Sequence, residues 1–272
     1  APVDVVAGYP WFGTWSRDTM IAYEGLFLRT GRADLGRELL RTYAATLSEG
    51  MLANTADTGR VEYNTVDATL WFLHAVERHV ALTGDTDLGA EVLPALLAVV
   101  DAHRAGTRYG IAVDPADGLL TQGAPGAALT WMDARVHGVP VTPRAGKPVE
   151  VNALWVNGLA GLAELAEASG RDADELRRMH ARATTAFRER YPAPPGWLYD
   201  VVDAPAPAYP LGGGAFHDDD SLRPNQLLAW SLPYAPLEPD EPALRRIAAA
   251  LLTPLGPRSL TPDPPGFGGR HR

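Results

Sequence analysis

Asp133 closes the segment Thr130-Trp131-Met132-Asp133 inside a long loop rich in Gly and Pro. A carboxyl beside an indole is shielded from water, which raises its pKa and lets it donate a proton near neutrality. What such a donor could act on is set by the aromatic and charged side chains around it. Those residue types cluster in the loops that precede helices. The stretch from Tyr9 to Asp18 holds Trp11, Trp15, Arg17 and Asp18. Indole faces stack on the apolar faces of a pyranose, and Arg and Asp take its hydroxyls in charge-assisted hydrogen bonds. A second cluster runs Glu62-Tyr63-Asn64-Thr65-Val66-Asp67 and then Leu70-Trp71-Phe72, which would put Asn64 and Asp67 at a pocket mouth. The loop from about Gly106 to Val149 adds Trp131, Arg144 and Lys147, with Glu150 at the following helix start. A loop of that length is uncommon in a compact domain unless it is functional. Leu222-Arg223-Pro224-Asn225-Gln226 is the fourth cluster, with Pro224 suited to a first helical turn.

Each cluster also has a local reading. Ser16 can cap a helix with Asp18 in its first turn, and Asn64 or Thr65 can cap the next, with Asp67 and Glu150 matched to helix dipoles. Asp218-Asp219-Asp220 lacks calcium-loop spacing and reads as a solvated acidic turn. There is no phosphate-cradling Gly-x-x-x-x-Gly-Lys, no His-Glu-x-x-His and no Gly-x-Ser-x-Gly. The seven histidines have no partners at metal-ligand spacing, so neither a metal nor a cofactor is expected.

The elements that must position these residues are helices. Apolar periodicity predicts them over about Arg17–Thr30, from Asp34 through Leu47, Val66–Leu82, Leu88–His103, Val151–Ser169 and Asp172–Arg190, with shorter ones at Pro224–Ser231 and Pro242–Leu252. Asp34 is the expected cap of the second, and Gly31 and Thr83-Gly84-Asp85 are the expected stops. Strand signals are limited to Val3–Val6, Gly110–Val113 and Trp197–Val202. Helix pairs with tight turns, separated by long loops at one end, suggest an all-α toroid of alternating inner and outer helices, with an open helical array as the alternative. Eight helices fall short of the roughly twelve of a closed toroid. Residues 1–272 read as one domain without an internal linker.

Composition narrows the function. The chain has 272 residues, 46% of them hydrophobic, which is enough for a full core. A net charge of −9 argues against nucleic acid, which needs basic patches, and is compatible with a neutral substrate. The absence of cysteine excludes disulfides and thiolate metal sites and fits a cytoplasmic protein. No apolar run reaches the roughly 18 residues of a membrane span, and the first residues lack a signal-peptide pattern. Ala1 begins inside an apolar stretch, as at the cut edge of something longer.

Six segments taken together resemble the C-terminal glucosidase domain of glycogen-debranching enzymes, the amylo-α-1,6-glucosidase family, in its bacterial form. They are Ala7–Ile21, Tyr63–Phe72, Leu129–Ala134, Thr142–Trp155, Leu222–Gln226 and Arg258–Phe267, in family order and across nearly the whole chain. The resemblance implies an (α/α)6 toroid of the six-hairpin glycosidase type. It also implies inverting hydrolysis of α-1,6-linked glucose stubs on a branched α-glucan such as glycogen or limit dextrin. Asp133 would be the general acid. Arg17 and Asp18 would hold the terminal glucose, and Trp11, Trp15, Trp71 and Trp131 would form aromatic walls. Arg144, Lys147, Glu150, Asn152, Arg223 and Asn225 would complete the pocket. The base of such an enzyme comes from a later segment rich in His, Gly and Trp-Pro, starting shortly after Phe267. Here the chain ends in Gly268-Gly-Arg-His-Arg272, so the resemblance implies an incomplete toroid with its base beyond Arg272, or Glu150 in its place. Two other readings remain: a trehalase-like or glucoamylase-like toroid hydrolase, and an inactive carbohydrate-binding fragment.

Overall fold

A computed structural model describes residues 3–54, 61–205 and 217–262. Helices are α1 (Ser16–Tyr23), α2 (Ala33–Ala44), α3 (Asp67–Thr83), α4 (Thr86–Ala105), α5 (Val149–Ala168), α6 (Asp174–Arg190), α7 (Leu228–Ser231) and α8 (Glu241–Leu251). They follow one another as hairpins, yet the close neighbours alternate. α1 lies against α3, α3 against α5 and α5 against α7, while α2 packs on α3 and α4, and α6 on α5. An inner row thus runs α1, α3, α5, α7, with α2, α4 and α6 outside it.

Sequence dictates which helices go inside. α5 is apolar on nearly every side, and all but four of its positions are buried, from Val149 to Ala166. α2 and α6 are amphipathic and bury one stripe, Leu39, Leu40 and Tyr43 in α2 and Leu176, Ala183 and Phe187 in α6. Trp155 sits at the centre of the core, fully buried, stacked on His103 at 5.9 Å and donating Nε1–H to Gly118 O. A smaller apolar cluster of Leu222, Ile247 and Leu251 holds α8 against Trp197 and Trp230.

Helix ends show where local expectations hold. Gly84 adopts the left-handed conformation that ends α3, and Asp85 caps α4 by accepting from Leu88 N at 3.0 Å. The expected caps Ser16, Asn64, Thr65 and Asp34 do not cap. The N-cap positions of α1, α3 and α2 are Trp15, Val66 and Arg32, none with a side-chain cap bond. The first helix is also shorter than expected, because the chain widens into a π-turn over Glu24–Leu28 after Tyr23.

Short strands organise the loops at one end. β1 (Val6–Gly8) and β2 (Phe12–Thr14) form a hairpin ahead of α1. The long loop between α4 and α5 folds into β3 (Ala112–Val113) with β4 (Leu120–Thr121), then β5 (Arg135–Val136) with β6 (Val139–Pro140), then β7 (Lys147–Pro148). β7 joins β8 (Val201–Ala204) and β9 (His217–Asp219) in a three-stranded sheet. Gly146, at φ 115°, makes this possible: a Cβ there would stand 2.9 Å from Val202 O. β10 (Leu252–Thr253) and β11 (Gly256–Pro257) close the described chain. Arg258–Thr261 of the last resembling segment are described, and most of its remainder lies outside the described residues. Among the described residues, no helix is long and apolar enough to cross a membrane.

Candidate active site

Arg17 is the second residue of α1 and is 6% exposed. Its Nε donates to both oxygens of Asp67, at 2.9 Å each, and its Nη1 donates to Asp133 Oδ2 at 2.9 Å. Asp67 opens α3 and is 1% exposed. Burial raises its pKa, and the adjacent guanidinium opposes that shift. A buried guanidinium therefore ties the start of one inner helix to the start of the next, and both to the Asp133 loop. The side chain of Asp133 is 42% exposed, so the pair has a buried end and an open end.

The open end faces a cleft of about 660 Å³. Its walls include Trp15, Asn54, Glu62, Tyr63, Asn64, Tyr109, Ala124–Leu129, Asp133 and Arg135. Main-chain bonds lock the walls together: Ser16 N to Asn54 O at 2.9 Å, Asn54 N to Glu62 O at 2.7 Å, and Val66 N to Leu129 O at 2.8 Å. The amides continue the lattice, with Asn54 Nδ2 donating to Asn64 Oδ1 at 2.9 Å and Asn64 Nδ2 to Glu62 Oε2 at 3.1 Å. This use of Asn64 explains why it does not cap α3. Such a cleft offers amide and carboxylate partners for hydroxyls and aromatic rings for apolar faces. Among the described residues lining it, Asp133 and Glu62 carry carboxylates.

A second set of expected residues lies behind the cleft as a closed ionic network. Arg144 is 1% exposed and adopts a left-handed backbone at φ 47°. Its guanidinium donates to both oxygens of Glu150, at 2.7 Å for Nη2 to Oε2, and to both of Asp200 at 2.8 Å. Asn225 Nδ2 bridges the same carboxylates, 2.7 Å from Glu150 and 2.9 Å from Asp200, and Arg223 Nε stands 3.3 Å from Asp200. Burial acts to raise the Glu150 pKa, but the Arg144 charge beside it prevails and holds the carboxyl below its ordinary value. Burial raises Asp200, with Arg144 opposing. Two cations thus face two anions in a dry setting. The network reaches the cleft through Arg144 Nη1, which donates to Thr130 Oγ1 at 3.2 Å, in the segment that ends at Asp133.

The other expected residues take the following places. Glu150 is 2% exposed with both oxygens held by Arg144, so it is not placed to activate water in the cleft. Lys147 is a structural cation: its Nζ sits 2.7–2.8 Å from Asp114, Asp117 and Asp203. Burial lowers its pKa, but the three carboxylates outweigh burial and raise it. Asn152 is fully buried and pairs with both main-chain groups of Leu120. Arg223 and Asn225 belong to the network above. Asp67 lies beneath Arg17 and not at a mouth. Trp11 is 83% exposed on the β1–β2 hairpin, and Trp131 is 37% exposed. Neither lines the cleft, and Trp131 does not seal Asp133 from water. Trp71 packs edge-on to His74 at 5.6 Å, away from the cleft. Asp18 is exposed on the first turn of α1 and outside the cleft lining. Trp15, Asn64 and Asp133 line the cleft, with Arg17 directly behind.

Sequence reasoning missed Asn54, Tyr109 and Arg135 as cleft residues. Arg135 donates to Gly138 O at 2.9 Å and to Gly126 O at 3.0 Å, pinning the β5–β6 hairpin to the opposite loop. Nothing in the type or spacing of these residues distinguishes them. Their place comes from the folding of the long loop.

Residues 1–272 match the sequence family described as Amylo-alpha-1,6-glucosidase. The glycogen debranching enzyme of Saccharomyces cerevisiae is 25% identical over 95% of this chain and 22% of the yeast protein, so the chain spans about a fifth of that relative's length. Among solved structures, the GH63 mannosylglycerate hydrolase of Thermus thermophilus in complex with Tris superposes with a TM-score of 0.67 at 12% identity, over 96% of this chain and 77% of that one. A bacterial glucoamylase complexed with acarbose superposes with a TM-score of 0.57 at 18% identity, over 90% of this chain and 34% of that one. These two likenesses carry the fold, a helical toroid of the six-hairpin glycosidase type.

Proposed function

Because the chain belongs to the amylo-alpha-1,6-glucosidase family, a family of glycoside hydrolases, we propose that it serves to release α-1,6-linked glucose stubs from a branched α-glucan. Asp133 is the acid in this reading. The observation that carries it is the Arg17–Asp133 pair, buried at one end and open to the cleft at the other. Arg17 holds Oδ2 and so orients the carboxyl, turning Oδ1 to the departing glycosidic oxygen. The sugar ring stacks on Trp15, while Asn64 and Asn54 take its hydroxyls.

Inversion requires a second carboxylate about 6.5–9.5 Å from the first, leaving room for a water. Of the resident carboxylates, Glu62 shares the cleft with Asp133 and Glu150 does not. A substrate panel tests the assignment. Glucose release from a phosphorylase limit dextrin is expected to exceed release from trehalose or maltose. The reverse order would assign the chain to a trehalase-like or glucoamylase-like activity instead.

A further inference from the structure

Tyr109 lies in the 3-10 turn Arg108–Gly110 that links α4 to β3, and it lines the same cleft as Asp133. Its backbone is at φ 59°, ψ 26°, the left-handed region that bulky residues rarely adopt. Gly110 follows at φ 68°, where a Cβ would stand 2.9 Å from Gly123 O, so glycine is required there. At position 109 glycine would also be the easy residue. The chain instead carries a large aromatic side chain, and the residue is 38% exposed.

The surroundings force this conformation. Tyr109 O accepts from Gly123 N at 2.9 Å, and Thr107 N and Ile111 N close the turn on Ile111 O and Arg108 O at 2.8 and 3.1 Å. Arg108 is anchored by Ser48 O at 2.9 Å and by Glu49 Oε1 at 3.0 Å. A strained residue on a rigid turn, with its side chain presented to a cleft, is a placement that stability alone does not favour.

The other cleft tyrosine is already engaged. Tyr63 carries the Arg108 guanidinium on its ring at 4.6 Å and donates its hydroxyl to Thr46 O at 2.9 Å. Among the described residues, no ring or cation stacks on Tyr109. Tyr109 lines the cleft with Trp15 and Asp133, and among the described residues it shares no hydrogen bond or ring contact with either. We propose that Tyr109 is a stacking platform for the glucan chain that bears the branch, and that it sets a preference for polymeric over small substrates. The proposal rests on the glucan reading above and names the residue that reads the rest of the polymer.

The test is calorimetric titration of the full chain with maltopentaose and with glucose, alongside the melting temperature. Tyr109→Gly removes the ring and relieves the backbone, whereas Tyr109→Phe keeps the ring. Tyr109→Gly is expected to melt no lower than wild type, to bind glucose as wild type does, and to bind maltopentaose roughly three- to tenfold more weakly. Tyr109→Phe should bind both normally. Unchanged maltopentaose affinity in Tyr109→Gly, or an equal loss for glucose and maltopentaose, would overturn the proposal. If the wild-type chain binds neither sugar, the glucan reading itself fails, and the platform with it.

Discussion

Arg17 and Asp133, 116 residues apart, meet through a single bond of 2.9 Å from Nη1 to Oδ2. The guanidinium has its other firm hold on Asp67, so three segments of chain converge on one buried cation. Removing a partner from such a site leaves a charge in a place that water does not reach.

Asp67→Ala is therefore expected to destabilise the fold by about 3–5 kcal/mol, because Arg17 stays buried with only the half-exposed Asp133 to balance it. Urea unfolding of the variant measures this. A loss below about 1 kcal/mol would mean that Arg17 swings out to solvent and that Asp67 is not its anchor.

Arg144 supports a larger network, and its replacement should be at least as costly. Arg144→Met leaves Glu150 and Asp200 facing each other without a shared cation, at about 3–5 kcal/mol. Arg144→Lys should recover little of this, because an ammonium cannot reach four carboxylate oxygens as the planar guanidinium does. Denaturation of the two variants side by side is the measurement. Near-complete rescue by Lys would contradict the geometry.

His74 gives the fold an acid sensitivity of its own. Burial, helped by the nearby Arg78 charge and opposed by Glu24, pushes its pKa down from 6.5 to about 4. Its Nδ1 lies 3.3 Å from Asn157 Nδ2, a contact that suits the neutral ring. The unfolded chain binds this proton more readily than the folded one. Stability from His74 is thus fully present above pH 6.5 and is lost as the pH falls toward 4, by on the order of 2–3 kcal/mol. His74→Gln should lose less stability than wild type between pH 7 and pH 4 in urea titrations. Parallel curves would show that His74 titrates normally.

Much of the fold was legible in the sequence. The apolar periods of α2 and α5 announced two helices, and Gly84-Asp85 marked a turn that formed as expected. Of the expected site residues, Trp15, Asn64 and Asp133 line one cleft and Arg17 bonds to Asp133. What the sequence could not separate was pocket from support. Arg144 and Lys147 look like binding residues in a loop, but their partners Asp200 and Asp203 each lie 56 residues away and become neighbours only through β7–β8 pairing. The exposure of Trp11 and Trp131 was illegible for a related reason: it is decided by what packs on an aromatic in a loop. Tyr109 was hidden entirely, because a left-handed tyrosine has no signature in composition or period.

Glucose release from limit dextrin, compared between the wild-type protein and Asp133→Asn, tests the central claim most directly. Asparagine keeps the shape of the side chain and the Oδ contact with Arg17, but it cannot give up a proton to the leaving oxygen. The expected result is a fall in turnover of about 10²–10⁴-fold with glucan binding retained. Turnover within a fewfold of wild type would contradict the assignment of Asp133 as the acid.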